Sequence, residues 1–185
     1  MEVVHTHLEG CFVIKPAVFD DPRGYFFESF NEERFNKAAD LAIHFVQDNQ
    51  SFSSYGVLRG LHFQKGEHAQ AKLVRVLQGE VLDVAVDIRK GSPTFGKHFS
   101  VVLSAENKLQ LFIPRGFAHG FVVLSDVAEF FYKCDNYYNK ASEGGLLYND
   151  ADLNINWHLP LADILVSDKD KINSSFSELE NSLYA

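Results

Sequence analysis

Three histidines of this 185-residue chain stand beside glycines in strand-like segments: His62 in VLRGLHFQ, His68 in KGEHAQAK and His119 in IPRGFAHGF. An imidazole titrates near neutrality, so each could serve as a general base or as a metal ligand. Metal use would require three or four donors converging at about 2 Å, and His62, His68 and His119 are the candidates for that arrangement. Tyr132, within EFFYK, offers a phenol that is neutral at working pH and can give its proton to a strong base. Each of these residues also has a plainer reading, because a single His or Tyr in a β-rich domain is ordinarily structural. Arg23, between Pro22 and Gly24, reads by itself as a turn arginine. Asp83 and Asp87 alternate with apolar residues and read as the solvated face of a strand, while Glu32, Glu33 and Arg34 read as an exposed helix start. Cys11 and Cys134 are far apart and form no CxxC spacing, which suits two reduced thiols.

Strands must position these groups. Short runs of β-branched and aromatic residues, cut by Gly, Pro, Asn and Asp, fill most of the sequence. The clearest run is Lys72 to Ile88, where KLVRVLQ and EVLDVAVDI alternate on either side of Gly79 and predict a hairpin with one face in a core. Further strands are predicted at Phe12 to Phe19, Tyr25 to Phe30, Phe45 to Phe52, Val57 to Gln64, Phe99 to Leu103, Leu109 to Ile113, Gly120 to Leu124 and Ala128 to Lys133. Helix is expected at Asn31 to Leu41, with Asn31 as cap, acidic residues in the first turn and a Phe35, Ala38, Ala39 stripe. A second helical spacing, Phe176, Leu179 and Leu183, lies in a polar tail from Ser174 to Leu183 where fraying competes with docking. Many short strands with close turns fit an all-β sandwich or barrel, of which a jelly roll is one form.

The length suits one domain over residues 1–185, and no repeat or linker interrupts it. A net charge of −8 argues against a nucleic-acid surface, yet leaves room for a small anion held by local arginines and lysines. The N-terminus lacks a basic segment followed by an apolar run, and no window reaches the length of a membrane span, so neither export nor insertion is expected.

Longer motifs carry a resemblance. PRGFAH matches the PxGxxH pattern of the second cupin motif, and GVLRGLH begins like the first. Metal-binding cupins continue with HxH and a glutamate; here Gln64 stands at the second histidine, and the glutamate position falls near His68 or Ala69. The segments FDDPRGYFFESF, FVQDNQS, VLRGLHFQ, AKLVRVLQGEVLDVAVDIRKGSPTFGK, LSAENK, IPRGFAHGF and SDKD follow in an order and spacing that resemble the dTDP-4-dehydrorhamnose 3,5-epimerase family of metal-independent cupins. The resemblance runs from about residue 12 to residue 170 and leaves a tail, residues 171–185, outside it. Two departures stand out: the family commonly reads Asn-His-Ser where this chain has Asn49, Gln50 and Ser51, and often Trp at Phe112.

The resemblance implies an all-β, cupin-type double-stranded β-helix (jelly roll) with a few short helices, and a cofactor-free isomerase acting on a dTDP-4-keto-6-deoxyhexose. Carbons 3 and 5 of such a sugar flank the ketone, so inversion needs a base, a facing acid and an oxyanion stabiliser. By resemblance His62 is the base, Asp170 its orienting partner, Tyr132 the proton donor and Lys72 the charge beside the oxyanion, worth on the order of 3 kcal/mol. Arg23 and Arg59 are implied for the diphosphate, Glu28, Gln47, Asp48 and Asn49 for polar contacts, and His119, Glu143 and Lys169 for the sugar, with Phe19 and Tyr138 able to stack on thymine. A homodimer is also implied, in which N-terminal strands of one subunit pair with the partner's sheet and help to form its site; the cytoplasm is expected from reduced thiols, the lack of a signal segment and a nucleotide-sugar substrate. Other readings remain at this stage: a mono-epimerase or ketoisomerase of another dTDP-sugar, a metal-dependent cupin built on the three histidines, and a non-catalytic sugar-binding cupin.

Overall fold

The structure, a computed structural model, describes residues 1–184, without the side chains of Leu183 and Tyr184. In chain order the strands are β1 (Glu2–His5), β2 (Phe12–Lys15), β3 (Val18–Asp21), β4 (Gly24–Phe27), β5 (Gln47–Ser54), β6 (Val57–Gln64), β7 (Lys72–Gln78), β8 (Glu80–Asp87), β9 (His98–Ser104), β10 (Gln110–Ile113), β11 (Phe117–Val123), β12 (Val127–Cys134), β13 (Glu143–Gly145) and β14 (Leu165–Val166). The two α-helices are α1 (Glu32–Ala39) and α2 (Phe176–Tyr184). A first sheet runs β1-β2-β10-β7-β12-β5, and a second runs β13-β6-β11-β8-β9 with β14 parallel to β6. β3 and β4 form a separate ribbon. This is the all-β class expected from the turn spacing, in the jelly-roll form that the resemblance implied.

The main core lies between the sheets. Val74, Val76, Leu111, Ile113 and Phe130 enter it from the first, and Val81, Ala85, Leu103, Phe117 and Phe121 from the second. A further core covers the outer face of the second sheet, where Leu58, Leu82, Val84 and Val122 pack under Leu146, Leu153, Trp157 and Leu179 of the C-terminal segment. On the outer face of the first sheet, α1 seats Phe35 against Phe12 and Phe112. Its N-cap is Asn31, whose Oδ1 accepts from the Arg34 N–H at 3.0 Å. The tail docks rather than frays: Phe176 meets Phe95 at 5.1 Å between ring centroids, and Leu179 is buried. The side chain of Leu183, the third member of that spacing, lies outside the described residues.

Three expectations are corrected. The Lys72 to Ile88 run is not a hairpin, since β7 pairs with β10 and β12 while β8 pairs with β9 and β11. One intervening residue is too short for the two-residue turns that close hairpins. Gly79, at φ +74°, instead carries the chain from the first sheet to the second, and a Cβ there would run into the Val127 carbonyl oxygen. The second correction concerns Asp83 and Asp87, which are fully buried. Their alternation with Leu82, Val84 and Val86 is real, but the C-terminal segment covers the apolar face and turns the aspartates inward. The predicted strand from Phe12 to Phe19 also breaks at Pro16 into β2 and β3, where proline has no N–H for a ladder.

Candidate active site

A cavity of about 580 Å³ opens between the sheets. Asn49 of β5, Lys72 of β7 and Tyr132 of β12 line it from the first sheet; Arg59 and His62 of β6 and His119 of β11 line it from the second. Ser167, Lys169 and Asp170 close it from the segment after β14. Strict alternation would send Arg59 and His62 to opposite faces, because they are three positions apart. A β-bulge resolves this: His62 pairs with His119 and Arg59 with Phe121, so the β6 stretch carries one residue more than its partner. Gly60 makes the bulge possible at φ +142°, with its Cα so close to β11 that an added Cβ would sit 2.5 Å from the Gly120 Cα.

Asp170 is nearly fully enclosed and its Oδ1 lies 2.6 Å from His62 Nε2. Burial raises its carboxyl pKa, but the His62 hydrogen bond and charge, Ser167 and the Gly60 N–H outweigh that and hold it below the usual range. An ionised carboxylate only accepts, so Nε2 carries the proton and His62 Nδ1 keeps its lone pair. Nδ1 has no partner among the described residues and the ring is about one-third exposed, so this nitrogen is available to take a proton. Facing it from the other sheet, Tyr132 has its pKa raised by burial and by Cys134, against a lowering from Arg59. The phenol therefore stays protonated at neutral pH.

Lys72 lies beside the ring of Tyr132, its Nζ 5.8 Å from the centroid. Burial lowers its pKa, while Cys134 and Asp83 raise it less. Among the described residues it forms no ion pair, and the half-buried side chain lines the cavity. Arg59 Nε donates to Ser53 Oγ at 3.1 Å.

An adjoining cavity of about 160 Å³ shares Asn49, His62, Lys72 and Tyr132 with the first and adds Gln47, Tyr138 and Glu143. There Lys169 Nζ meets Glu143 at 2.6 Å and the Tyr138 hydroxyl donates to the same carboxylate at 3.1 Å. Asp48 lies apart, paired with Lys133 at 3.0 Å. Phe19, Arg23 and Glu28 do not line either cavity within this chain. Arg23 is 90% exposed at the tip of the β3–β4 ribbon and pairs with Asp21, Phe19 is exposed on β3, and Glu28 pairs with Arg34.

The three-histidine arrangement is not assembled. His68 has Asn139 and Ser142 on its two ring nitrogens, and no group of three or more His, Cys, Asp or Glu that could hold a metal occurs among the described residues. Asp83, given no role by its pattern, is brought to the site: both its oxygens meet His119 Nε2, at 3.0 and 3.1 Å. Its signal was present in the strand alternation, but which face was covered could not be read from it.

A jelly roll whose two sheets present an oriented imidazole and a neutral phenol to one cavity, beside a half-buried ammonium, defines an acid–base enzyme of the cupin fold class. A family model described as dTDP-4-dehydrorhamnose 3,5-epimerase matches residues 5–178. The dTDP-4-dehydrorhamnose 3,5-epimerase of Shigella flexneri is 54% identical over 180 residues, covering 97% of this chain and 98% of that protein. The crystal structure of the enzyme so named from Elizabethkingia anophelis superposes with a TM-score of 0.93 at 60% identity, over 96% of this chain and 97% of that one. A Legionella pneumophila structure, described as a dTDP-6-deoxy-D-glucose-3,5-epimerase in complex with dTDP-4-keto-L-rhamnose, gives 0.91 at 47% identity over 96% of both chains. This chain belongs to the dTDP-4-dehydrorhamnose 3,5-epimerase family.

Proposed function

We propose that the protein inverts C3 and C5 of dTDP-4-dehydro-6-deoxyglucose to give dTDP-4-dehydro-L-rhamnose, by enolisation on either side of the C4 ketone. The observation that carries this reading is that His62 and Tyr132 line one cavity from opposite sheets. His62 Nδ1 takes the proton from the carbon beside the ketone, and Asp170 stabilises the imidazolium formed. Lys72 holds the negative charge that moves to the ketone oxygen. Tyr132 delivers a proton to the opposite face; proton exchange with solvent then returns His62 to the neutral base and Tyr132 to the phenol, and the same sequence at the second carbon completes the isomerisation with no net change in composition. No cofactor is needed, since only protons move. Arg59 binds the diphosphate, Asn49 and Gln47 bind along the nucleotide, and His119, Lys169 and Glu143 hold the sugar.

Phe19, Arg23, Glu28 and Asp48 serve the same ligand from a second copy of the chain or from the rim. Supporting this are the exposure of Arg23 and the exposed rings of Phe19 and Phe26 on the β3–β4 ribbon. The working unit is therefore a homodimer, in the cytoplasm. Among the described residues no helix is long and apolar enough to cross a membrane.

Incubation of the protein with this substrate in D2O is expected to place deuterium at both C3 and C5. Label at one carbon alone indicates a mono-epimerase, and label at neither rejects the assignment.

A further inference from the structure

His119 is the second histidine of the cavity wall, and it too is tied to a buried carboxylate. It lies on β11 directly across the ladder from His62. Asp83, on the neighbouring β8, is fully enclosed, and its carboxylate has one hydrogen-bond partner among the described residues, the His119 Nε2. The ring stacks on Phe130, with centroids 6.0 Å apart, which fixes its plane. Among the described residues His119 Nδ1 has no partner, and it is not one of the enclosed atoms that lack one, so it is the ring nitrogen that reaches the cavity.

We infer that Asp83 is a positioning residue for the proposed reaction: it holds His119 as the tautomer protonated at Nε2, so that the cavity wall presents a hydrogen-bond acceptor, Nδ1, to a hydroxyl of the sugar. A buried carboxylate can only accept, which fixes the proton on the nitrogen facing it. Burial lowers the His119 pKa more than Asp83 raises it, and the nearby Lys72 and His62 lower it further, so the ring carries one proton at neutral pH. Other donors already face this space. Lys72, Arg59 and Lys169 bring only N–H groups to it, and the Tyr132 phenol is the proposed proton donor. A neutral Nδ1 therefore gives a sugar O–H the acceptor that the three cationic side chains cannot supply.

The inference rests on the proposed sugar substrate only in its kinetic arm. In ¹⁵N-histidine spectra of the intact protein at neutral pH, with His119 assigned by its loss in His119→Gln, we expect the Nε2–H tautomer. Asp83→Asn keeps shape but offers an amide donor, so the proton is expected to move to Nδ1 and kcat/KM to fall about 10- to 100-fold, mostly through KM. A wild-type ring protonated at Nδ1, or at both nitrogens, overturns the inference without any variant or substrate. So does Asp83→Asn with an unchanged tautomer, or with a changed tautomer and unaltered kcat/KM. Absence of wild-type turnover would instead reject the assigned reaction, and leaves the spectra to decide the tautomer.

Discussion

Lys72 shows how a functional side chain can cost stability. Its ammonium is half-buried and its pKa lowered by burial, so the folded protein releases this proton more readily than the unfolded chain does. A lysine lowered in this way disfavours folding at neutral pH, and the penalty fades as pH rises past its folded-state pKa. Lys72→Met is expected to raise the unfolding free energy by about 1 kcal/mol while lowering kcat about 10²- to 10³-fold. Thermal denaturation and a coupled assay check both halves. Tyr132→Phe separates acid from base: inversion falls about 10²- to 10⁴-fold, while deuterium still washes into the substrate because His62 continues to remove and return a proton on one face. Loss of wash-in together with inversion would contradict separate roles for the two groups.

At the scale of elements, the bulge in β6 and the loop between β8 and β9 carry the most consequence. Gly60→Ala would press β6 away from β11 at the point where His62 and His119 face one another. It is expected to cut kcat/KM about 10²-fold, because displacements near 1 Å are felt at that level, and a crystal structure of the variant would show the widened ladder. The loop after β8 is tied by Asp87, which accepts from Arg89 Nη2 at 2.7 Å, Ser92 Oγ at 2.6 Å and Thr94 Oγ1 at 2.6 Å. Burial would raise its pKa, yet these bonds hold it at about 2, against 3.8 for an ordinary aspartate. With the folded pKa below the unfolded one, this contribution is complete above pH 3.8 and disappears as pH falls through about 2. Asp87→Asn is therefore expected to lose about 2 kcal/mol at neutral pH, with the difference from wild type shrinking across that window in urea titrations.

For the whole molecule, the N-terminal ribbon is the part a single chain leaves unexplained. It projects Phe19, Tyr25 and Phe26 into solvent and keeps Arg23 outside the cavity. If a second copy covers it, light scattering is expected to give twice the 20.9 kDa chain mass, and Phe26→Asp to shift that toward one. Arg23→Ala would then raise KM with little change in kcat, a loss of uniform binding. A mass of one chain for the wild type contradicts the dimer.

Much of this was legible in the residues. Turn residues at short intervals gave the β class, Asn31 marked the start of α1, and β6 matched its predicted span from Val57 to Gln64. Motif order pointed to His62, Lys72, Tyr132 and Asp170, which do line one cavity. Alternation, however, reports only which residues share a strand face, not what covers it. Leu146, Trp157 and Leu179 lie far along the chain from β8, yet they decide that Asp83 and Asp87 point inward. The same limit applies to Gly79 and Gly60: a glycine permits an unusual backbone, but long-range pairing determines whether it makes a hairpin, a crossing between sheets or a bulge. Residue types and local spacing thus determined the chemistry available, while the pairing of distant strands decided which groups meet.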